Sequence, residues 1–544
     1  TVRPRRNRNQ IGARRAKIIP QRGAKSTPPS SAGCAARELP SARPAVTAPP
    51  IQPAARSTMN LLPSFCVVLL ALAAPVFAAP APKLNVLLIV ADDLRDTVGS
   101  YGNAAAKTPH LDRLAARGVR FDRAYAQYPV CNPSRTSFLT GLRCEQTGVV
   151  GNTTLFRSRL PDLVTLPQLL RQNGWRAESY GKIYHVGGGN EDARAAWTDE
   201  GKSWDEAKMF RVTPVGANLL AGRNLTGGKL RWCEWGMTDG TDDDQPDGQT
   251  AAASVAAIEK LTAAGQPWII GAGFHRPHDP FLVPKKYFDL YPAGSLPLFH
   301  DPATATPLRK LSLPGGDLGA AFNAFTDQER AEFQRAYYAG VSFMDAQVGR
   351  LLDTLDRLKL WERTVVIFIG DHGYHHNERN WWNKNTLFER SARVPCLVAA
   401  PGAAPGKSTA ALVELVDLYP TIADYCGLRA PHTLAGRTLR PLLEHPAAPA
   451  PERDAAFTLV MRGGGTFGQT IRTARWRFIQ WSDGAVELYD HAADPQEMND
   501  VSGLAAHAPL IRELKSRLQK TVPFTPPAAE AGSAPSAKKK KKSA

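Results

Sequence analysis

Charge is scarce in the body of this chain. Of the formal +17 carried by 544 residues, +11 lies in residues 1–58 and +5 in the five lysines at 538–542, leaving +1 for everything between. A near-neutral body argues against a dedicated nucleic-acid surface, because attraction that rests on two basic tails is electrostatic and unspecific. Long apolar runs are missing too. The stretch from Phe65 to Ala79 is interrupted by Pro75 and is too short to cross a bilayer. It ends in Val76-Phe77-Ala78, the small-residue ending of a secretory signal, although no positive charge lies between Met59 and Ser64. Residues 59–78 therefore read as a signal peptide. Residues 1–58, without helical or strand period, read as a basic disordered segment upstream of the true start. The expected destination is secreted or periplasmic, with no membrane span in the mature protein. Cysteine is also sparse, at seven. Cys34 and Cys66 fall in segments expected to be removed. Setting Cys131 aside, Cys144, Cys233, Cys396 and Cys426 suffice for up to two disulfides in an oxidising compartment.

What is present is a series of short runs that read as strands, each ending in ionisable residues. Leu84–Val90 reads as a strand buried on both faces and stops at Asp92-Asp93. Two adjacent carboxylates repel unless a cation or donors lie between them; surface acids or a helix cap are the plainer alternatives. Trp175–Tyr180 leads into Lys182 and His185. Trp268–Phe274 leads into His275-Arg276-Pro277-His278, of which Arg276 and His278 are expected to be solvated. Thr364–Gly370 leads into Asp371-His372 and a loop that contains Lys384; His375, His376 and Glu378 read there as ordinary loop residues.

Val119–Tyr125 alternates like a strand and delivers Cys131-Asn132-Pro133-Ser134-Arg135 to a helix from about Ser134. A helix N-terminus favours anions and nucleophiles. Cys131 is then either a reactive thiolate beside a guanidinium or a buried structural cysteine. Further helices are expected at 108–115, 166–171 and, with apolar residues at helical spacing, 331–360. Five segments thus bring acids, imidazoles or amines to strand ends or to the Cys131 turn. That pattern argues for one site at the carboxyl edge of a mostly parallel sheet.

Residues 295–330 read as a long surface excursion. Residues 413–421 read as helical, and a Pro/Ala-rich linker at 446–451 separates a large domain, 83–445, from a C-terminal subdomain, 452–524. Strands at 470–473, 476–480 and 486–490 suggest a small antiparallel sheet with a final helix at 505–519. Residues 525–544 read as a disordered Lys-rich tail.

The sequence Cys131-x-Pro133-Ser134-Arg135 running into Leu139-Thr140-Gly141 resembles the signature of the type I sulfatase family. The likeness extends from about residue 84 to about 502. Through Gly181–His185, Phe274–His278 and Asp371-His372-Gly373 it is most similar to the branch of iduronate-2-sulfatase and its bacterial relatives. The resemblance implies an α/β fold like alkaline phosphatase, with a large, mostly parallel sheet flanked by helices and a smaller C-terminal antiparallel subdomain. It implies that a formylglycine-generating maturation enzyme oxidises Cys131 to an aldehyde whose hydrate is the nucleophile. It further implies that Asp92, Asp93, Asp371, His372 and the modified Cys131 bind one divalent cation, calcium in that family; ligand type alone leaves Zn²⁺ or Mn²⁺ open. Arg135, Lys182 and Lys384 would neutralise the sulfate ester, His275 would protonate the leaving oxygen and His185 would take the proton released by the hydrate. The expected substrate is a sulfated polysaccharide or glycosaminoglycan fragment, with 2-O-sulfated uronate as the first choice. The alternatives are a phosphonate monoester or phosphodiester hydrolase of the same superfamily and a non-catalytic sulfated-glycan-binding protein.

Overall fold

Every residue of β1 (Asn85–Ala91) is buried, and its side chains alternate between two cores. Leu87, Ile89 and Ala91 enter one; Val86, Leu88 and Val90 enter the other. A strand of this kind must be covered on both faces. The computed structural model describes residues 83–186, 193–448 and 453–527. The expected basic segment and signal peptide, half of the linker (449–451) and residues 528–544 of the expected tail lie outside the described residues.

The later strands are β2 (Val119–Tyr125), β3 (Arg176–Gly181), β4 (Glu206–Lys208), β5 (Leu219–Asn224), β6 (Glu234–Thr238), β7 (Trp268–Phe274), β8 (Phe281–Pro284), β9 (Thr364–Gly370), β10 (Arg393–Val394), β11 (Cys396–Ala399) and β12 (Lys407–Glu414). Four more follow: β13 (Ala455–Met461), β14 (Phe467–Thr473), β15 (Trp476–Trp481) and β16 (Val486–Asp490). The nine-stranded sheet runs β10-β2-β11-β9-β1-β7-β3-β4, with β12 also on β2. Its block β9-β1-β7-β3-β4 is parallel throughout. The register pairs Ala91 with Gly370 and Phe274, and Gly181 with Gly273, so four strands end on one line.

The main helices are α1 (Pro109–Arg117), α2 (Cys131–Thr140), α3 (Leu166–Gln172), α4 (Pro246–Ala263), α5 (Asp327–Arg357), α6 (Leu418–Tyr425) and α7 (Ala508–Thr521). Helices α1, α4 and α5 pack on the Leu87/Ile89 face, and α2, α3 and α6 on the other. Helix α5 starts four residues before the expected 331 because Thr326 accepts from Glu329 N in a capping box. Val413 and Glu414 are strand rather than helix: they pair with Ala124 and Tyr125 of β2, and α6 begins only at Leu418. The excursion at 295–330 carries a short helix, Gly316–Ala324, and buries Phe322 and Phe325.

The C-terminal strands form an antiparallel sheet in the order β13-β14-β15-β16. Ile471, Phe478 and Leu488 pack on Leu514 and Leu518 of α7. The opposite face sets Val460, Ile479, Trp481 and Tyr489 against Tyr128, Leu387 and Phe388, which flank Cys131 and Lys384 in the chain. Buried Arg477 ties the two parts together, donating to Glu389, Glu497 and the carbonyl of Leu387. The disulfides that the cysteine count allows are not formed among the described residues. All five cysteines there are free, with Cys144, Cys233 and Cys396 buried in three different cores. No described helix is long and apolar enough to cross a membrane.

Candidate active site

The aligned strand ends determine what meets at the carboxyl edge. Asp92 and Asp93 follow β1, Asp371 and His372 follow β9, Lys182 and His185 follow β3, and His275 and His278 follow β7. The turn out of β3 requires glycine: Gly181 has φ +70°, and a Cβ there would lie 2.2 Å from the Gly273 carbonyl oxygen. Asp93 also has a positive φ, 64°. Tyr337 of α5 holds that turn by donating to the Asp93 carbonyl at 2.7 Å, while the Asp93 N–H donates to Asp371 Oδ1 at 3.0 Å.

Cys131 is the first residue of α2, three positions earlier than expected, because the Ser134 N–H already bonds the Val130 carbonyl at 3.1 Å. Its thiol is fully buried. Lys384 Nζ lies 3.5 Å and Lys182 Nζ 3.7 Å from Sγ. Lys182 also bonds Asp92, and Lys384 reaches Asp93 Oδ1 at 2.5 Å. Burial and Asp92 push the Cys131 thiol up, but Lys182, Lys384 and His372 outweigh them and hold it below the ordinary value.

Arg135 is wholly buried and spends its fork inside the site. Nε donates to Asp371 Oδ2 and Nη2 to Asp92 Oδ1, both at 2.9 Å, while Nη1 serves the carbonyls of Lys182 and Ile183. It therefore orients two carboxylates rather than presenting a free guanidinium. Burial raises the Asp92 carboxyl, but Lys182 and Arg135 more than offset this and take it well below the usual range. Burial dominates at Asp93, which is pushed up to about 7.

Three buried carboxylates and one imidazole make a donor set suited to a hard dication. Asp92, Asp371, His372 and Cys131 offer ligand atoms within 4.8 Å of one another, as do Asp92, Asp93, Cys131 and His278. Two further observations fit such a group. Asp93 Oδ2 and His372 Nε2 are buried without a hydrogen-bond partner. His372 Nδ1 donates to the Gly373 carbonyl at 3.1 Å, which turns Nε2 toward Asp93 Oδ1 at 3.4 Å and Asp371 Oδ1 at 3.7 Å. Burial lowers the His372 imidazole, but Asp371 and Asp93 outweigh it and raise it to about 9. A cation among the same oxygens would take that proton's place.

His185 and His275 line the same edge. Burial and Lys182 lower His185 to about 3 and His275 well below its ordinary value, so both rings are neutral near pH 7. His185 Nδ1 is buried without a partner. His275 is positioned through its backbone: buried Asp247, near the start of α4, accepts the N–H groups of His275 at 2.7 Å and Arg276 at 2.8 Å.

The expectation of solvated Arg276 and His278 is corrected. His278 is buried, with Nε2 at 3.9 Å from Asp93 Oδ2, because the turn between Pro277 and Pro280 folds it back over the carboxylates. Arg276 is half-buried and caps the carbonyls of Leu282 and His278. His375 and His376 are loop residues, both buried away from solvent. His278 and Asp247 are the members that sequence reasoning missed. The second His of the His275-Arg-Pro-His278 stretch was the only signal for one, and the acid at a helix start the only signal for the other.

The comparisons with known proteins give the family and the fold. A family model described as Sulfatase matches residues 84–428, and one described as N-sulphoglucosamine sulphohydrolase, C-terminal, matches residues 377–523. Iduronate 2-sulfatase of Homo sapiens is 31% identical over 405 residues, covering 64% of this chain and 70% of its own. A sulfatase of Formosa agariphila is 30% identical over 459 residues, covering 81% and 87%. The crystal structure of the phosphonate monoester hydrolase of Agrobacterium radiobacter superposes with a TM-score of 0.68 at 24% identity, covering 81% and 95%; that likeness shows the fold.

Proposed function

Because the chain belongs to the sulfatase family and is a sulfuric ester hydrolase, we propose that its substrate is a sulfated saccharide, with 2-O-sulfated uronate in glycosaminoglycan fragments as the first choice. The relatives named iduronate 2-sulfatase support that choice. The observation that carries the reading is the convergence of Lys182 and Lys384 on Cys131 Sγ beside three buried carboxylates.

Asp92, Asp93, Asp371 and His372, with residue 131, would hold one divalent cation, a hard one by its three carboxylates and calcium by the likeness to the sulfatase family. When bound, that ion would draw charge from the sulfate oxygens. Matured to formylglycine, residue 131 would supply an aldehyde hydrate as the attacking oxygen.

The chain's own residues do the rest. Lys182 and Lys384 put two ammonium groups where the ester's negative charge arrives, in a site from which water is largely excluded. Arg135 fixes Asp92 and Asp371 so that neither carboxylate turns toward the anion. His275 hands a proton to the departing alcohol oxygen; an anionic ester beside it opposes the depression that burial and Lys182 impose. His185, held neutral, accepts a proton from residue 131. The leader segment supports export to the periplasm or the exterior.

The test compares 4-nitrophenyl sulfate with a phenylphosphonate monoester on one matured preparation. The reading predicts a higher kcat/KM for the sulfate. A clear preference for the phosphonate would replace it.

A further inference from the structure

The rim of the site carries one aromatic side chain that the core does not use. Trp232 lies in the single turn Arg231–Cys233 ahead of β6 and is 47% exposed. Among the described residues it is the one aromatic side chain left exposed. Its neighbours behave differently. Cys233 is fully buried, and Trp235 packs on Phe288 with ring centroids 5.9 Å apart and donates to Glu332.

An isolated exposed apolar residue is ordinary on a protein surface, so position must decide its meaning. The Trp232 ring meets the His278 ring in an edge arrangement, with centroids 5.9 Å apart. The His278 ring lies 5.6 Å from that of His275, and its Nε2 is 3.9 Å from Asp93 Oδ2. Three rings therefore lead from solvent to the group assigned to the leaving oxygen. If the sulfate sits at residue 131 between Lys182 and Lys384, and the ester oxygen faces His275, the alcohol must extend outward along this wall. The first large surface it meets there is Trp232.

A pyranose ring presents an apolar C–H face, which suits the electron-rich face of an indole. A rigid aromatic with two rotatable bonds also loses little conformational freedom on contact. We propose that Trp232 is a substrate-binding platform that stacks on a pyranose ring of the sulfated saccharide; this rests on the function proposed above. Trp232 touches no reacting atom, so its contribution is to binding and to the choice of saccharide over smaller sulfate esters.

The test is calorimetric titration of the full chain carrying Cys131→Ala, which cannot be matured, with a panel of sulfated uronate-containing disaccharides in calcium buffer. Adding Trp232→Ala should raise Kd by about tenfold, the loss of one aromatic anchor. Trp232→Phe, which keeps a stacking face, should stay within about threefold of the parent. Equal Kd for the parent and the alanine variant would overturn the platform while leaving the saccharide reading intact. A parent that binds no member of the panel would overturn both.

Discussion

Lys384 Nζ lies 2.5 Å from Asp93 Oδ1 across 291 positions of sequence, while the second oxygen of Asp93 is buried without a donor. The same ammonium is 3.5 Å from Cys131 Sγ. One ammonium group thus faces both the carboxylate cluster and the Cys131 thiol. Lys384→Met should lower kcat/KM by about a hundredfold or more, about 3 kcal/mol of lost charge stabilisation. Steady-state kinetics on protein with matched maturation at residue 131 checks this. Wild-type kcat/KM would remove Lys384 from the mechanism.

The orphaned atoms Asp93 Oδ2 and His372 Nε2 predict a response to chelation. Stripping divalent cations should lower both activity and Tm, and calcium should restore them. At a hundredfold excess over Kd the bound ion contributes about 2.7 kcal/mol to stability. Asp93→Asn should abolish the calcium-dependent part of the Tm. A wild-type Tm indifferent to chelator and calcium would contradict the cation site.

Asp247 holds the backbone N–H groups of His275 and Arg276 with its two oxygens, so it should act on catalysis without touching substrate. Asp247→Ala leaves two buried donors unsatisfied and should cost about 1–3 kcal/mol each in stability. It should also lower kcat more than it raises KM. Asp247→Asn keeps one acceptor and should fall between. Equal kcat in all three proteins would reduce Asp247 to a structural cap.

Acid sensitivity should come partly from the junction with the C-terminal sheet. Burial raises Glu414, but Arg143 and Arg453 outweigh it and bring it down to about 2. Its folded value is therefore depressed from the ordinary 4.5. The unfolded chain binds the proton first, so the stability Glu414 contributes is complete above about pH 4.5 and is lost as pH falls toward 2. Glu414→Gln should cost about 3–5 kcal/mol at neutral pH, since it takes the carboxylate partner from buried Arg143, while Arg453 keeps Asp417. It should also flatten the decline of urea midpoint below pH 4.5. A variant with the wild-type slope would contradict this assignment.

Much of this was legible in the sequence, and for physical reasons. The runs that became β1 and β9 are continuous and rich in β-branched residues, the pattern of a strand in a sheet covered on both faces. The residues just past them had to share one edge once the strands were parallel. What was not legible depended on tertiary choices. His275 and His278 are chemically alike, and only the folded turn decides that His278 sits against Asp93. Residues 413–414 have the composition of a helix and become strand because β2 offers them a partner. Strand β13 was missed because its alanine start continues the composition of the linker before it. The engagement of Arg135 with two carboxylates follows from where β1 and β9 end, which no local pattern records.

The most direct measurement is the mass of the tryptic peptide Ala124–Arg135 from chain co-expressed with a formylglycine-generating enzyme, taken alongside sulfate ester turnover by the same sample. The account predicts an aldehyde in place of the Cys131 thiol and turnover that rises with the converted fraction. An intact thiol, in cells where a control sulfatase is converted, or turnover independent of conversion, would contradict it.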